Sequence, residues 1–153
     1  MEQGSTNWGK SVGVVVWRDG RVLLGRHTYG NGRGNLILPG GYLEEGETAE
    51  EAARREVMEE TGVACEVERL VSCRLNSREF YLIFQARWVS GEGRPADEEN
   101  SEVLWLDPEE ALGRDDVALL TQYAIRSSAE GHGVDPVPYV SKHNPGVANT
   151  YYG

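Results

Sequence analysis

Residues 48–62 encode a helix whose apolar face is interrupted by acid. Thr48 followed three residues on by Glu51 has the pattern of a capping box, Gly62 is a C-terminal stop, and Ala49 to Thr61 are mostly strong helix formers. With Ala49 at the origin and about 100° per residue, Ala53 falls near ~40°, Val57 near ~80° and Ala52 near ~300°. That stripe is the face a helix buries. By the same geometry Glu56 falls near ~340°, Glu60 near ~20° and Glu59 near ~280°. Carboxylates therefore lie within or beside the buried stripe, while Glu50, Glu51 and Arg54 lie on the opposite side.

An inward-facing cluster of ionised carboxylates is costly unless a cation meets it. The spacing i, i+3, i+4 brings Glu56, Glu59 and Glu60 to one spot, and the alanines let the helix approach its neighbour closely. Hard oxygen ligands converging on a point suit Mg²⁺ or Mn²⁺. The helix alone leaves a second reading open. Glu50–Arg54, Glu51–Arg55 and Arg55–Glu59 are i, i+4 pairs, so the same run also describes a solvated, salt-bridged surface helix.

The flanking sequence alternates strand and turn signals. Residues 12–17 read as a strand covered on both faces, Asp19-Gly20 as a hairpin turn, and 21–24 as the return strand. A glycine-rich loop, 28–35, leads to a short strand at 36–38, ended by Pro39-Gly40-Gly41. Residues 63–75 and 79–89 alternate as an antiparallel pair. In the first, Val63, Cys65, Val67, Val71, Cys73 and Leu75 share a face; in the second, Phe80, Leu82, Phe84, Ala86 and Trp88 do. Residues 90–101 read as an acidic loop and 103–106 as a strand. Asp107-Pro108 starts a helix, and a second spans about 116–128. A mixed sheet with a few helices gives an α/β (α+β) fold. Residues 1–130 are expected to form a single domain. Residues 131–153, rich in Gly, Pro, Asn and Tyr, form an extension whose order composition leaves open; Tyr139, Tyr151 and Tyr152 are candidates to pack on a second copy, as in a homodimer, or on the chain itself.

The net charge of −10 argues against a nucleic-acid polymer as partner, which needs a basic face. It also requires a local source of positive charge if the ligand is anionic, and a divalent ion supplies one. Met1–Ser5 shows no secretory pattern, and no apolar run is long enough for a membrane span. Cys65 and Cys73 stand roughly 26 Å apart along one strand, too far for a disulfide. They read as buried hydrophobes in a reducing, cytoplasmic setting.

From Gly41 onward the chain resembles the Nudix box. Five residues separate Gly41 from Glu47, and seven more lead to Arg55-Glu56; Val57, Met58, Glu59-Glu60, Thr61, Gly62 and Val63 follow in register. Every fixed position of the motif is present, and Leu38-Pro39-Gly40-Gly41 looks like the usual lead-in. Leu36 departs from it, standing where many members carry an aromatic residue. The resemblance implies an α/β/α sandwich with a central mixed sheet, and a metal-dependent hydrolase of a nucleoside diphosphate linked to another moiety. It implies that Glu56, Glu59 and Glu60, with the carbonyl of Gly41, hold Mg²⁺ (or Mn²⁺), that Glu59 or Glu60 serves catalysis, and that Arg55 pairs with Glu47 to orient the box. Later-loop carboxylates also serve such sites; of Glu98, Glu99 and Glu102, the last precedes Trp105 by three in a Glu-x-x-Trp pattern common in the family, and is the favoured ligand or base. Arg26 and His27, where relatives place basic residues, are candidate substrate-phosphate contacts.

Small-molecule nucleotide substrates follow from this likeness. A nucleoside triphosphate giving pyrophosphate and monophosphate is the first expectation. ADP-ribose, a nucleotide sugar or a dinucleoside polyphosphate is the second. A ligand sensor without turnover is a third, set against by the intact box and by the lack of room for a DNA-binding domain in 153 residues.

Overall fold

A computed structural model describes residues 8–30 and 32–153; Met1–Ser5 lies outside the described residues. β1 (Gly9–Arg18) runs through the middle of the sheet. Val12, Val14 and Val16 face one core layer and Val15 the other, all fully buried. A strand covered on both faces is apolar throughout rather than alternating. Asp19 (φ 49°) and Gly20 (φ 77°) both adopt positive φ, as the tight turn matching strand twist requires. They lead into β2 (Arg21–His27).

Beyond that hairpin β2 leaves β1 and pairs with β7 (Asn100–Leu106) and the short β3 (Leu36–Ile37), both antiparallel. The vacated edge of β1 is filled by β4 (Gly40–Tyr42), with Gly13 opposite Gly40. This strand is absent from the sequence reading, which ended at Pro39. Two glycines carry no strand propensity, and here they serve close approach: a Cβ on Gly40 would overlap the carbonyl of Val12. On its other side β1 pairs in parallel with β6 (Glu79–Ser90), and β5 (Ala64–Leu75) completes the sheet antiparallel to β6. α1 (Ala49–Thr61) covers one face with Ala52, Ala53 and Val57. α2 (Pro108–Leu112) and α3 (Leu119–Ala129) cover the other with Ala111, Ala124 and Ile125. The expected α/β/α sandwich with a mixed sheet is the observed one.

The regular alternation expected of 63–75 fails. Register shifts fall between Val67 and Arg69 and between Leu70 and Ser72. Each such bulge adds a residue and flips the side chains beyond it. Cys65 consequently packs on the α1 side, Val71 on the α3 side, and Cys73 and Leu75 are exposed. Both cysteines are free, but only Cys65 is a buried hydrophobe; burial pushes its thiol up to about 11. The C-terminal segment forms a hairpin of β8 (Pro136–Tyr139) and β9 (Asn149–Tyr152). Tyr152 returns to the domain, its ring 5.9 Å from that of Phe84 and its hydroxyl donating to Glu50, while Tyr139 and Tyr151 are exposed. Among the described residues no helix is long and apolar enough to cross a membrane.

Candidate active site

α1 begins and ends where its sequence dictates. The Glu51 N–H donates to Thr48 Oγ1 at 3.2 Å, and the Glu51 carboxylate returns to the Thr48 hydroxyl rather than to its N–H. Gly62 closes the helix in the left-handed region (φ 72°), donating to the Met58 carbonyl. Along that helix the acidic positions separate. Glu60 is 1% exposed, the Glu56 side chain 12% and the Glu59 side chain 53%. Glu59, at the margin of the wheel, reaches solvent.

Glu60 is the anomaly. It meets two neutral donors, the Gly40 N–H at 2.7 Å and the Asn100 amide at 3.3 Å, and among the described residues it makes no ion pair. Burial, with the nearby charges of Glu56 and Glu99, pushes its carboxyl up to about 8 against those donors. The folded state therefore holds a proton that the unfolded chain releases from about pH 4.3 upward. Stability of the metal-free protein should fall between about pH 5 and pH 8, because the native state binds the extra proton. Melting in EDTA checks this: Glu60→Gln should remove most of the decline, roughly 5–10 °C, and equal slopes in both proteins would show that Glu60 is compensated.

Glu56 touches the backbone of β4. A Cβ on Gly41 would stand 2.6 Å from Glu56 Oε1 and 2.7 Å from its Cδ. Burial pushes the Glu56 carboxyl up, and Arg55 opposes the shift. Gly41→Ala should leave the fold intact, since a carboxylate at the end of a flexible side chain can move, but should lower turnover by about 10²-fold, the scale of a ~1 Å misplacement at a reacting centre. Wild-type kinetics for this variant would mean that the Gly41–Glu56 contact is idle.

Arg55 gathers the remaining acids. Its guanidinium forks onto Glu47 at 2.7 and 3.0 Å and reaches Glu56 at 2.9 Å, Glu59 at 3.1 Å and the Tyr42 carbonyl at 3.0 Å. The fork holds the Glu47 carboxyl below the usual range. Among the described residues no three His, Cys, Asp or Glu side chains stand close enough to enclose an ion; Glu56 and Glu59 are drawn to Arg55, and Glu60 to Gly40 and Asn100.

Beside these groups a cavity of about 460 Å³ is walled by His27, Tyr29, Leu38, Gly41, Tyr81 and Glu99, among others. The rings of His27 and Tyr29 stack with centroids 5.0 Å apart, and the Tyr29 hydroxyl donates to Glu99 at 3.3 Å. Arg26 does not line it. Its guanidinium is taken by Glu102 at 2.9 Å, Asp116 at 3.1 Å and the Gly34 carbonyl at 2.9 Å. Glu102 is thus engaged away from α1. Val103 and Trp105 of β7 pack on the α1 side and Leu104 and Leu106 on the α3 side, so alternation sends Glu102 toward α3. A bulge between the partners of Arg26 and His27 accompanies the turn of Asn100 toward Glu60, and Glu99 beside it lines the cavity. Sequence reasoning did not single out Asn100, because a bulge leaves no periodic trace, and it favoured Glu102 over Glu99 on the Glu-x-x-Trp spacing alone. Leu36, the departure from the motif, is fully buried.

The sequence model of the NUDIX domain matches residues 8–126. The chain belongs to the Nudix family. A MutT-like protein of Streptomyces ambofaciens is 37% identical over 137 residues, 87% of this chain and 81% of that one. The oxidized purine nucleoside triphosphate hydrolase of Danio rerio is 34% identical over 98 residues, 61% of this chain and 63% of that protein. A NUDIX hydrolase structure from Nitrosomonas europaea superposes with a TM-score of 0.75 at 23% identity, covering 84% of this chain and 76% of that one, which shows the shared fold. This Nudix chain is a pyrophosphohydrolase-type enzyme, and Nudix hydrolases generally use divalent metal ions.

Proposed function

We propose that this Nudix enzyme hydrolyses a nucleoside triphosphate to pyrophosphate and the monophosphate, with Mg²⁺ or Mn²⁺ held by Glu56, Glu59, Glu60 and the carbonyl of Gly41. The observation that carries the reading is Glu60, a carboxylate 1% exposed beside Glu56 with only neutral donors. A buried carboxylate without a cationic partner is costly, and an all-oxygen donor set suits a hard divalent ion. Such an ion, when bound, would neutralise phosphate oxygens and lower the pKa of a water, which then gives up its proton readily as it attacks.

The chain's own residues supply the rest. Arg55 is committed to carboxylates and to Tyr42, so it orients the box rather than meeting phosphate. Besides Arg55, His27 is the one other basic side chain among the described residues of the cavity wall, and it would steer the phosphates. Tyr29, Tyr42, Ile37 and Leu38 present flat and apolar surface to a base. Glu99, which faces the cavity, takes the attacking water's proton in this reading, in place of Glu102, which holds Arg26. Arg26 holds the chain at Gly34 through its carbonyl. The similarity to the oxidized purine nucleoside triphosphate hydrolase of Danio rerio supports a triphosphate substrate, and the free cysteines fit a cytoplasmic setting.

The test is turnover with Mg²⁺ on ribo- and deoxynucleoside triphosphates, oxidized purine triphosphates, ADP-ribose, NADH and diadenosine polyphosphates, with products read by mass. Pyrophosphate with a monophosphate is the expected result. Two monophosphate products from a linked diphosphate would replace the triphosphate reading.

A further inference from the structure

We propose that Asn100 is a positioning residue that aims the Glu60 carboxylate, and that Gly25 exists to seat it. The inference rests on Glu60 being a metal ligand as argued above. The two Glu60 oxygens are pinned from different strands: Oε2 by the Gly40 N–H of β4 at 2.7 Å, and Oε1 by the Asn100 amide of β7 at 3.3 Å. One donor on each oxygen fixes the plane of the carboxylate and leaves its other lone pairs free. The Gly40 donor is backbone and comes with the fold. The Asn100 donor is a side chain outside the box, and it is 5% exposed.

Its place is built by two local departures from regular sheet. Opposite β2 the register passes from Arg26↔Glu102 to His27↔Asn100, so Ser101 is the extra residue. Strict alternation from Glu102 would turn Asn100 toward α3; the bulge turns it toward α1. Gly25 lies between Leu24, which packs on the α3 side, and Arg26. Opposite it in the register is Val103, which packs on the α1 side. A Cβ on Gly25 would overlap Asn100 Oδ1 and stand 2.8 Å from its Cγ. Gly25 has no positive φ, so the backbone itself does not call for glycine; the amide of Asn100 does. An amide at this point also donates to Glu60 without adding another negative charge to Glu56, Glu60 and Glu99.

The experiment measures Mn²⁺ binding by calorimetry to the full chain and to Asn100→Ala, Gly25→Ala, the double variant and Glu60→Gln, with melting of each metal-free protein alongside. Outer-shell partners of metal ligands typically carry about 10–100-fold in affinity. Asn100→Ala and Gly25→Ala should each weaken Mn²⁺ binding about tenfold or more while melting within roughly 5 °C of wild type. The double variant should bind no more weakly than the worse single one, because both act through one amide. Additive losses would overturn the seating role of Gly25. Wild-type affinity in Asn100→Ala with impaired Glu60→Gln would overturn the positioning role and leave the metal reading intact. Wild-type affinity in Glu60→Gln as well would sink both.

Discussion

Glu60→Gln is expected to lower kcat by about 10³-fold or more while raising the melting temperature of the metal-free protein at pH 8. Two effects of opposite sign arise from one change. The carboxylate is buried, and its pKa is pushed up to about 8, so at that pH the wild type carries a fully desolvated, partly ionised acid that a neutral amide of the same shape relieves. The glutamine Oε1 still accepts from the Gly40 N–H, and the Asn100 amide can turn its oxygen to meet the new NH₂. Packing should survive. What is lost is the charged oxygen that ligates the ion in the proposed reading, and the loss of even one charge-stabilising donor costs about 10²–10³ in turnover. Glu59→Gln separates the two effects. Its side chain is 53% exposed, so it should lose turnover with little change in melting. Mg²⁺-dependent kinetics and melting of both variants check this. Wild-type turnover in both proteins would remove the box glutamates from the chemistry.

The helix was readable because everything it needs is local. Thr48, Glu51 and Gly62 set its ends, and a 3.6-residue period placed Ala52, Ala53, Val57 and Glu60 on the buried face. The same arithmetic placed Glu59 only at the margin of that face, and the structure shows it turned to solvent and Arg55. The hairpin at Asp19-Gly20 was local too. What the sequence concealed depends on partners far along the chain. β4 is a strand only because β2 departs and leaves an edge of β1 open. The sidedness of Cys73 and Asn100 depends on bulges, where one added residue reverses which face a side chain meets, while regular alternation with Leu104 and Leu106 carries Glu102 to the α3 side. The Glu-x-x-Trp spacing pointed to Glu102, whereas the fold hands that residue to Arg26 and brings Glu99 to the cavity. The glycines show the same limit: Gly13, Gly25 and Gly41 sit within strands, and only their neighbours Tyr81, Asn100 and Glu56 explain them.

Arg55→Ala should be the most destabilising single change at the site, by about 2–4 kcal/mol, toward the lower part of the range for stripping one partner from a buried pair. The discount reflects partial exposure: the Arg55 side chain is 21% exposed, and those of Glu47 and Glu56 are 11% and 12%. Removing the guanidinium leaves Glu47, Glu56 and Glu59 facing one another without a cation, and frees the Tyr42 carbonyl. Arg55→Lys should recover only part of the loss, because an ammonium cannot fork across both Glu47 oxygens. A divalent ion changes the comparison. Arg55 neutralises Glu56 and Glu59 when no metal is present, so millimolar Mg²⁺ should shrink the Arg55→Ala deficit, with Glu47 accounting for what remains. Denaturant titrations of wild type, Arg55→Ala and Arg55→Lys, each with EDTA and with Mg²⁺, measure these terms. A deficit that is the same in both conditions would show that Arg55 and the ion do not share carboxylates. A deficit under about 0.5 kcal/mol, the size of an exposed pair, would show that the Arg55 cluster does not hold the loop to the helix.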